Sequence, residues 1–242
     1  MICHNQAFSD CLHSLYPASD QLAVSSELSY DLVRVIRRCQ KHNLIVHIKH
    51  RKCRFHILGK LISAKQKPEY VLINKPLGMV TTVSDDKERL TVMDVVADID
   101  ARLFPVGRLD YNTSGALIMT NDGELAYRLT HPKHEVYKTY RARVAGILSN
   151  EKAARLRKGV DIGGFVTSRA KVNIIKGTQH STIVEIAIHE GKNRQVRKMF
   201  SAVGNPVQEL ERVAIGEIRL GHLKPGHYRK LTREEIEYLK NC

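Results

Sequence analysis

Glycine is absent from the first 58 residues of this chain, and all fifteen glycines fall between Gly59 and Gly226. A stretch that long without glycine, followed by a glycine-rich remainder, reads as two pieces of different origin. Residues 1–58 form an N-terminal segment of unclear structure, and 59–242 form the principal domain. Cysteine and histidine follow the same division: Cys3, Cys11, Cys39 and Cys53 precede the boundary, as do His4, His13, His42, His47, His50 and His56. Their spacings match no zinc finger or ribbon, so no metal is expected. An apolar stripe of Leu28, Leu32, Val35 and Ile36 predicts a helix over 27–39.

At 242 residues the chain has room for one large domain plus a small appendage, and 43% hydrophobic residues allow a sizeable core. A formal net charge of +14 points to a polyanionic partner, nucleic acid before an anionic membrane. No apolar run reaches the roughly 20 residues of a membrane-spanning helix, and residues 1–20 lack the pattern of a signal peptide. The five cysteines are odd in number and form no CxxC pair, which argues against a disulfide framework and for a reducing cytoplasm.

Beyond residue 67 the signals become regular. Tyr70–Ile73 reads as a strand ended by Asn74-Lys75-Pro76 and Gly78. Thr91 is placed to cap a short helix carrying Val92, Val95 and Val96. Phe104–Leu109 and Ala116–Thr120 read as strands around a polar loop. Asp122 caps a helix through Leu125 and Leu129 that stops before Pro132. Along 138–144, Tyr140, Ala142 and Val144 alternate with Thr139, Arg141 and Arg143, a strand with two unlike faces. A helix over Asn150–Lys158 ends at Gly159, and long strands are expected at 166–175 and 182–188. Asn193–Val203 reads as an amphipathic helix, and Thr232 with Glu235 forms a capping box for a last helix. Helices and strands mix without a βαβ rhythm. The expected class is α+β, a mixed and largely antiparallel sheet flanked by helices.

Three constellations can carry chemistry. In the helix at 193–203, Val196, Met199, Phe200 and Val203 make one apolar stripe, with Arg194, Arg197 and Lys198 opposite. Lys192 and Arg194 crowd a helix start, where the dipole disfavours positive charge. The arrangement fits a bound anion meeting free backbone N–H groups near Gly191, and equally an ordinary solvated basic face. The second is Gly107–Gly115, where Asp110 sits beside basic residues. An Asp so placed is available as a nucleophile, although Asp at a strand end commonly just closes a turn. The third is Tyr140, a ring able to stack on an unpaired base or to fill the core. His131 and His189 show no triad or metal spacing and read as structural.

Taken in order, these segments resemble the pseudouridine synthases that modify ribosomal RNA, of the small- and large-subunit type and nearest the large-subunit synthase B branch. The stretches that carry the resemblance are Tyr70 to Gly78, Phe104-Pro105-Val106-Gly107-Arg108-Leu109-Asp110 through Leu125, Leu129 to Pro132, Lys138-Thr139-Tyr140 and His189 to Met199. Gly216 to Gly221 and Leu223 to Gly226 complete them. The resemblance implies that Asp110 is the nucleophile attacking the target uridine, at the sugar C1′ or the base C6. It makes Tyr140 the ring that packs on the base and aids loss of the C5 proton. Arg197 is implied as the partner that holds the carboxylate ionised, Arg108 as an RNA contact where the base is flipped out, and Val196 as an apolar contact to the base. Lys192, Arg194 and Lys198 would meet phosphate. An isomerisation needs no cofactor and no metal. The implied molecule is a cytoplasmic monomer acting on ribosomal RNA, 23S rRNA foremost, or on a pre-ribosomal particle, away from membranes.

Many members of that family carry a small RNA-binding domain in front of the catalytic one. Residues 1–58 lack its basic helical pattern, and Gly59-Lys60-Leu61-Ile62 resembles only its tail. This leaves a degenerate, replaced or frame-shifted RNA-binding region as the readings of 1–58. Two other functions compete with the isomerase. An RNA-binding or ribosome-assembly factor without catalysis would not need Asp110, Tyr140 and Arg197 together. A nucleoside hydrolase wants two carboxylates flanking the bond; Glu190 is the nearest further motif acid, and it reads as structural.

Overall fold

The computed structural model describes residues 67–242 and, ahead of them, three short strands. Strands β1 (Val46–Lys49), β2 (Arg54–Ile57) and β3 (Lys60–Ile62) form a sequential antiparallel meander. The helix expected at 27–39 and the first four cysteines lie outside the described residues. The chain divides into two compact units, residues 1–66 and 67–242, so β3 belongs with the first.

The second unit is a nine-stranded mixed sheet. Its strands are β4 (Tyr70–Lys75), β5 (Phe104–Pro105), β6 (Ser114–Thr120), β7 (Lys138–Ala145), β8 (Lys171–Gly177), β9 (Ser181–Ile188), β10 (Val207–Ile215), β11 (Ile218–Arg219) and β12 (Tyr228–Lys230). The path across it is β12-β4-β6-β10-β7-β9-β8, with β5 on β6 and β11 on β10. Every pairing is antiparallel except β6 with β10. Four helices flank the sheet among the described residues: α1 (Gly123–Thr130), α2 (Asn150–Lys158), α3 (Gln195–Ala202) and α4 (Arg233–Asn241).

The helix ends follow their caps. Asp122 accepts the N–H of Leu125 at α1, and Ser149 that of Lys152 at α2. Both bonds of the Thr232–Glu235 box are present at α4. Gly159 ends α2 at φ +106°, a backbone that only glycine adopts freely.

Each face of the sheet buries its own core. Leu72, Ile118 and Ile218 pack with Leu125 and Leu129 of α1 and Leu239 of α4. On the other face Ala142, Val144, Val184 and Ile186 pack with Leu156 of α2 and Met199 and Phe200 of α3. Beside them Val71, Ile73, Leu117 and Met119 pack with Val92, Leu103 and Leu109. Burying a side chain as large as Phe200 contributes roughly 2–3 kcal/mol. Tyr140 touches both clusters of this second face, and so marks the seam between them.

Four sequence expectations differ from the structure. The strand begun at Phe104 stops at Pro105, because Gly107 turns the chain at φ +75°. The run from Val166 pairs only as an isolated bridge to Asp161, and β8 starts at Lys171. The helix expected after Thr91 is one short 3-10 turn, Asp94–Val96. Helix α3 begins at Gln195, since Arg194 before it is left-handed at φ +51°.

Candidate active site

The strand registers place four residues in one row across the middle of the sheet. Lys75 of β4 lies opposite Gly115 of β6, Gly115 beside Arg212 of β10, and Arg212 opposite Tyr140 of β7. Residues directly across from one another share a face, here the face of the seam. Gly115 is what permits the row. Its φ is +110°, and a Cβ there would lie 2.2 Å from the Arg212 carbonyl oxygen. With any side chain at this point β6 and β10 could not run side by side.

Two members of the row are buried cations. Lys75 is 0% exposed, and its Nζ donates to the carbonyls of Pro76 and Thr113, both at 2.9 Å. Burial pushes its amine down to about 8; Asp110 pulls it up and Arg212 pushes it further down. Arg212 is 4% exposed. Its Nε donates to the Ala116 carbonyl at 2.6 Å, and its guanidinium carbon stands 6.0 Å from the Tyr140 ring centre. Its Nη2 is buried, with no hydrogen-bond partner among the described residues. Lys138, two residues before Tyr140 on the same strand face, donates to the His189 carbonyl at 3.3 Å. Burial and then the Arg212 charge hold Lys138 down to about 8.

The loop ahead of β6 carries Asp110. It folds as a turn in which the Thr113 N–H donates to the Asp110 carbonyl at 3.0 Å. Neighbouring segments fix it at both ends. The Thr81 hydroxyl donates to the Leu109 carbonyl, and the Gly78 N–H donates to the Tyr111 carbonyl. Helix α3 clamps the middle of the loop: Arg194 Nη1 donates to Asn112 Oδ1 at 3.2 Å, and Arg197 Nη2 to the Asn112 carbonyl at 2.6 Å. The Asp110 side chain is half-buried, and among the described residues none donates a hydrogen bond to its carboxylate.

The pairing expected between Arg197 and Asp110 takes another form. No contact within 4.0 Å joins the two charges, because the guanidinium fork is engaged by the carbonyls of Asn112 and Val207. They interact through space. Burial, then the Arg194 charge, lowers the Arg197 guanidinium, and Asp110 raises it. The Arg197 Nε is buried without a partner, as is the Thr113 hydroxyl. Arg197 thus positions the loop that presents Asp110.

The remaining expected residues separate by exposure. Arg108, Lys192, Arg194 and Lys198 are exposed, with Lys192 Nζ 4.6 Å from the Phe165 ring centre. Val196, expected to touch the base, is 4% exposed and packs in the core beneath α3. The N–H groups at the helix start are not all free. That of Lys192 donates to Gln195 Oε1, and Gln195 Nε2 donates to Glu190. Burial alone would raise the Glu190 carboxyl, but Ser168 and Gln195 donate to it and hold it below its usual range. Glu190 is structural, as its sequence context suggested. His131 and His189 pack against the rings of Tyr127 and Tyr137. Among the described residues no three His, Cys, Asp or Glu side chains converge as metal ligands would.

Sequence reasoning missed Lys75, Lys138 and Arg212 as site residues. A signal was present for two of them. Lys138 has the parity of Tyr140 on an alternating strand, and Arg212 has the parity of Leu210. Both cations therefore fall on the inward face if the strands are recognised.

A mixed sheet whose seam gathers a loop carboxylate, a tyrosine and buried cations defines a class of RNA-modifying isomerase, and the comparisons agree with it. Residues 69–202 match the RNA pseudouridylate synthase family, and the chain belongs to it. Over 178 residues it is 41% identical to the ribosomal large subunit pseudouridine synthase B of Bacillus subtilis, covering 73% of each chain. It is 38% identical over 182 residues to the ribosomal small subunit pseudouridine synthase A of Salmonella typhimurium, covering 74% of this chain and 77% of that one. A crystal structure of a pseudouridylate synthase superposes with a TM-score of 0.64 at 28% identity, covering 86% of this chain and 93% of the other.

Proposed function

We propose that this isomerase converts a specific uridine of ribosomal RNA, in the 23S molecule, to pseudouridine, with Asp110 as its nucleophile. The observation that carries the reading is the state of that carboxylate. It is half-buried, accepts no side-chain hydrogen bond among the described residues, and lies within the fields of Lys75 and Arg197. A carboxylate that no other side chain engages keeps its oxygens available for attack. The large-subunit target rests on the relative from Bacillus subtilis that carries that name.

The reaction keeps every atom of the substrate. Asp110 attacks at C1′ or at C6. The C1′–N1 bond breaks and its electron pair goes to the base. The base turns, C5 joins C1′, the bond from Asp110 to the substrate breaks and returns its electron pair to the carboxylate, the C5 proton leaves and N1 gains one. No co-reactant enters. Tyr140 packs on the extruded base and aids loss of the C5 proton. Arg108 contacts the RNA where the base has been flipped out. Lys192, Arg194 and Lys198, exposed beside the Asp110 loop, meet the phosphates. Catalysis falls to the domain within 59–242, acting as a monomer in the cytoplasm on ribosomal RNA or a pre-ribosomal particle.

Mapping pseudouridine in ribosomal RNA from cells with and without the protein tests this reading. One site should disappear and return on complementation. Asp110→Asn should not restore it, while the purified variant still binds RNA; turnover by that variant would refute the nucleophile. Neutralising Lys192 and Arg194 together should lower the slope of log affinity against log salt by about 1.5, two phosphate contacts' worth. An unchanged slope would remove these side chains from the RNA contact.

A further inference from the structure

We propose that Arg212, together with Lys75, forms a preorganised cationic floor that stabilises the negative charge left on the uracil when its bond to C1′ breaks. The inference rests on the isomerase reading above and names the groups that answer its charge-separating step.

Charge balance is the first ground. Among the described residues the buried charged side chains are Lys75 and Arg212, and no Asp or Glu is buried with them. Two buried cations without a buried anion cost several kcal/mol each. The part-buried Arg229, by contrast, is answered by an acid: it donates to both carboxylate oxygens of Glu235 at 2.7 Å. The half-buried Asp110 is one charge against two. A second negative charge completes the balance, and in this reaction it arises on the base.

Geometry is the second. Lys75 and Arg212 flank Gly115 in one row, so no side chain stands between them. The row continues to Tyr140, whose ring lies against the Arg212 guanidinium. A base packed on that ring is therefore next to the guanidinium. Arg212 Nε is spent on Ala116, whereas Nη2 is a buried donor with nothing to bond. Such orphans are rare in native proteins and mark a place where another group bonds. A backbone phosphate, which stays at the surface of an RNA, is the wrong occupant for a buried row. The exposed Lys192 and Arg194 are the ones placed for phosphate.

The chemistry is the third. When the C1′–N1 bond breaks, its electron pair stays with the base, and the charge spreads over the ring nitrogens and carbonyl oxygens. Fixed donors aimed at a developing anion need no reorganisation as it forms, and removing one typically costs on the order of 100- to 1000-fold in rate.

The test uses the full chain and an RNA containing the mapped site, in single-turnover pseudouridine formation beside equilibrium RNA binding. Arg212→Met removes the charge and keeps the bulk. Arg212→Gln removes the charge but keeps an N–H for the Ala116 carbonyl. Arg212→Lys keeps the charge. The expected result is a rate about 100-fold lower or worse for the Met and Gln variants. Their RNA affinity should stay within about twofold, and Arg212→Lys should recover at least about tenfold of the lost rate, since a buried charge rather than a shape is restored. A neutral variant within threefold of wild type would overturn the proposal. So would a Lys variant as slow as the neutral ones, a loss confined to RNA affinity, or failure of both neutral variants to fold, which would make Arg212 a structural residue. A wild-type protein that forms no pseudouridine would instead refute the functional reading itself.

Discussion

The two faces of strands β7 and β10 treat arginine in opposite ways. On the outer face Arg141 meets Glu185 at 3.1 Å and Arg143 meets Glu209 at 3.1 Å, each across one strand and each exposed. On the inner face Arg212 has Gly115 on one side and Tyr140 on the other, and no acid. The outer pairs follow the rule for surface charge and contribute on the order of 0–1 kcal/mol apiece. The inner arginine defies the rule for buried charge. Such a residue points to a demand other than stability, and the seam is where the loop presents Asp110.

The sharpest way to break this contrast is to unmake the row. Gly115→Ala should cost more than about 3 kcal/mol, because the new methyl meets backbone rather than a flexible side chain and the φ is positive. Urea unfolding measures it. A variant of nearly wild-type stability would mean that β6 and β10 are not held as close as described.

The next test reads the burial of charge through pH. Lys75 and Lys138 are held down to about 8 from the usual 10.5. Between those values the unfolded chain binds more protons than the native one, so native stability should rise as pH climbs through the window. Each lysine contributes at most ~3 kcal/mol. Tyr70 and Tyr238 are pushed up from their usual 10, chiefly by burial, and oppose the rise above it. Unfolding free energies compared at about pH 8 and about pH 10 should show the increase, and Lys75→Met should remove about half of it. A flat profile in the wild type would mean that these amines are solvated.

The smallest effect belongs to the outer face. Arg143→Ala should cost less than about 1 kcal/mol, and less again at high salt. A larger loss would show that the outer pairs carry the sheet, and the contrast between the faces would dissolve.

How far the sequence could be read tracks the same division. Elements closed by local chemistry were legible: α1 behind Asp122, α2 before Gly159, α4 behind its capping box, and β7 from its alternation. The fold class followed from them. The central strand β10 was not, because Arg212 interrupts the apolar alternation that announces a strand. The motif loop pointed to Asp110, and Tyr140 was legible from its strand. The distribution of hydrogen bonds around Arg197 was not, since Asn112 and Val207 are brought to it only by the folded loop and the start of β10. The resemblance gives Val196 a contact to the base, whereas helical periodicity puts it in the apolar stripe, and that stripe is buried.

The parallel contact of β6 with β10 joins residues nearly a hundred positions apart, as the bond from Arg212 to the Ala116 carbonyl records. Contacts that distant in sequence form late and slowly. A chain still emerging during synthesis makes the Asp110 loop long before it makes the strand that completes the seam beside it. The row of Lys75, Gly115, Arg212 and Tyr140 therefore comes into being only when the sheet has closed.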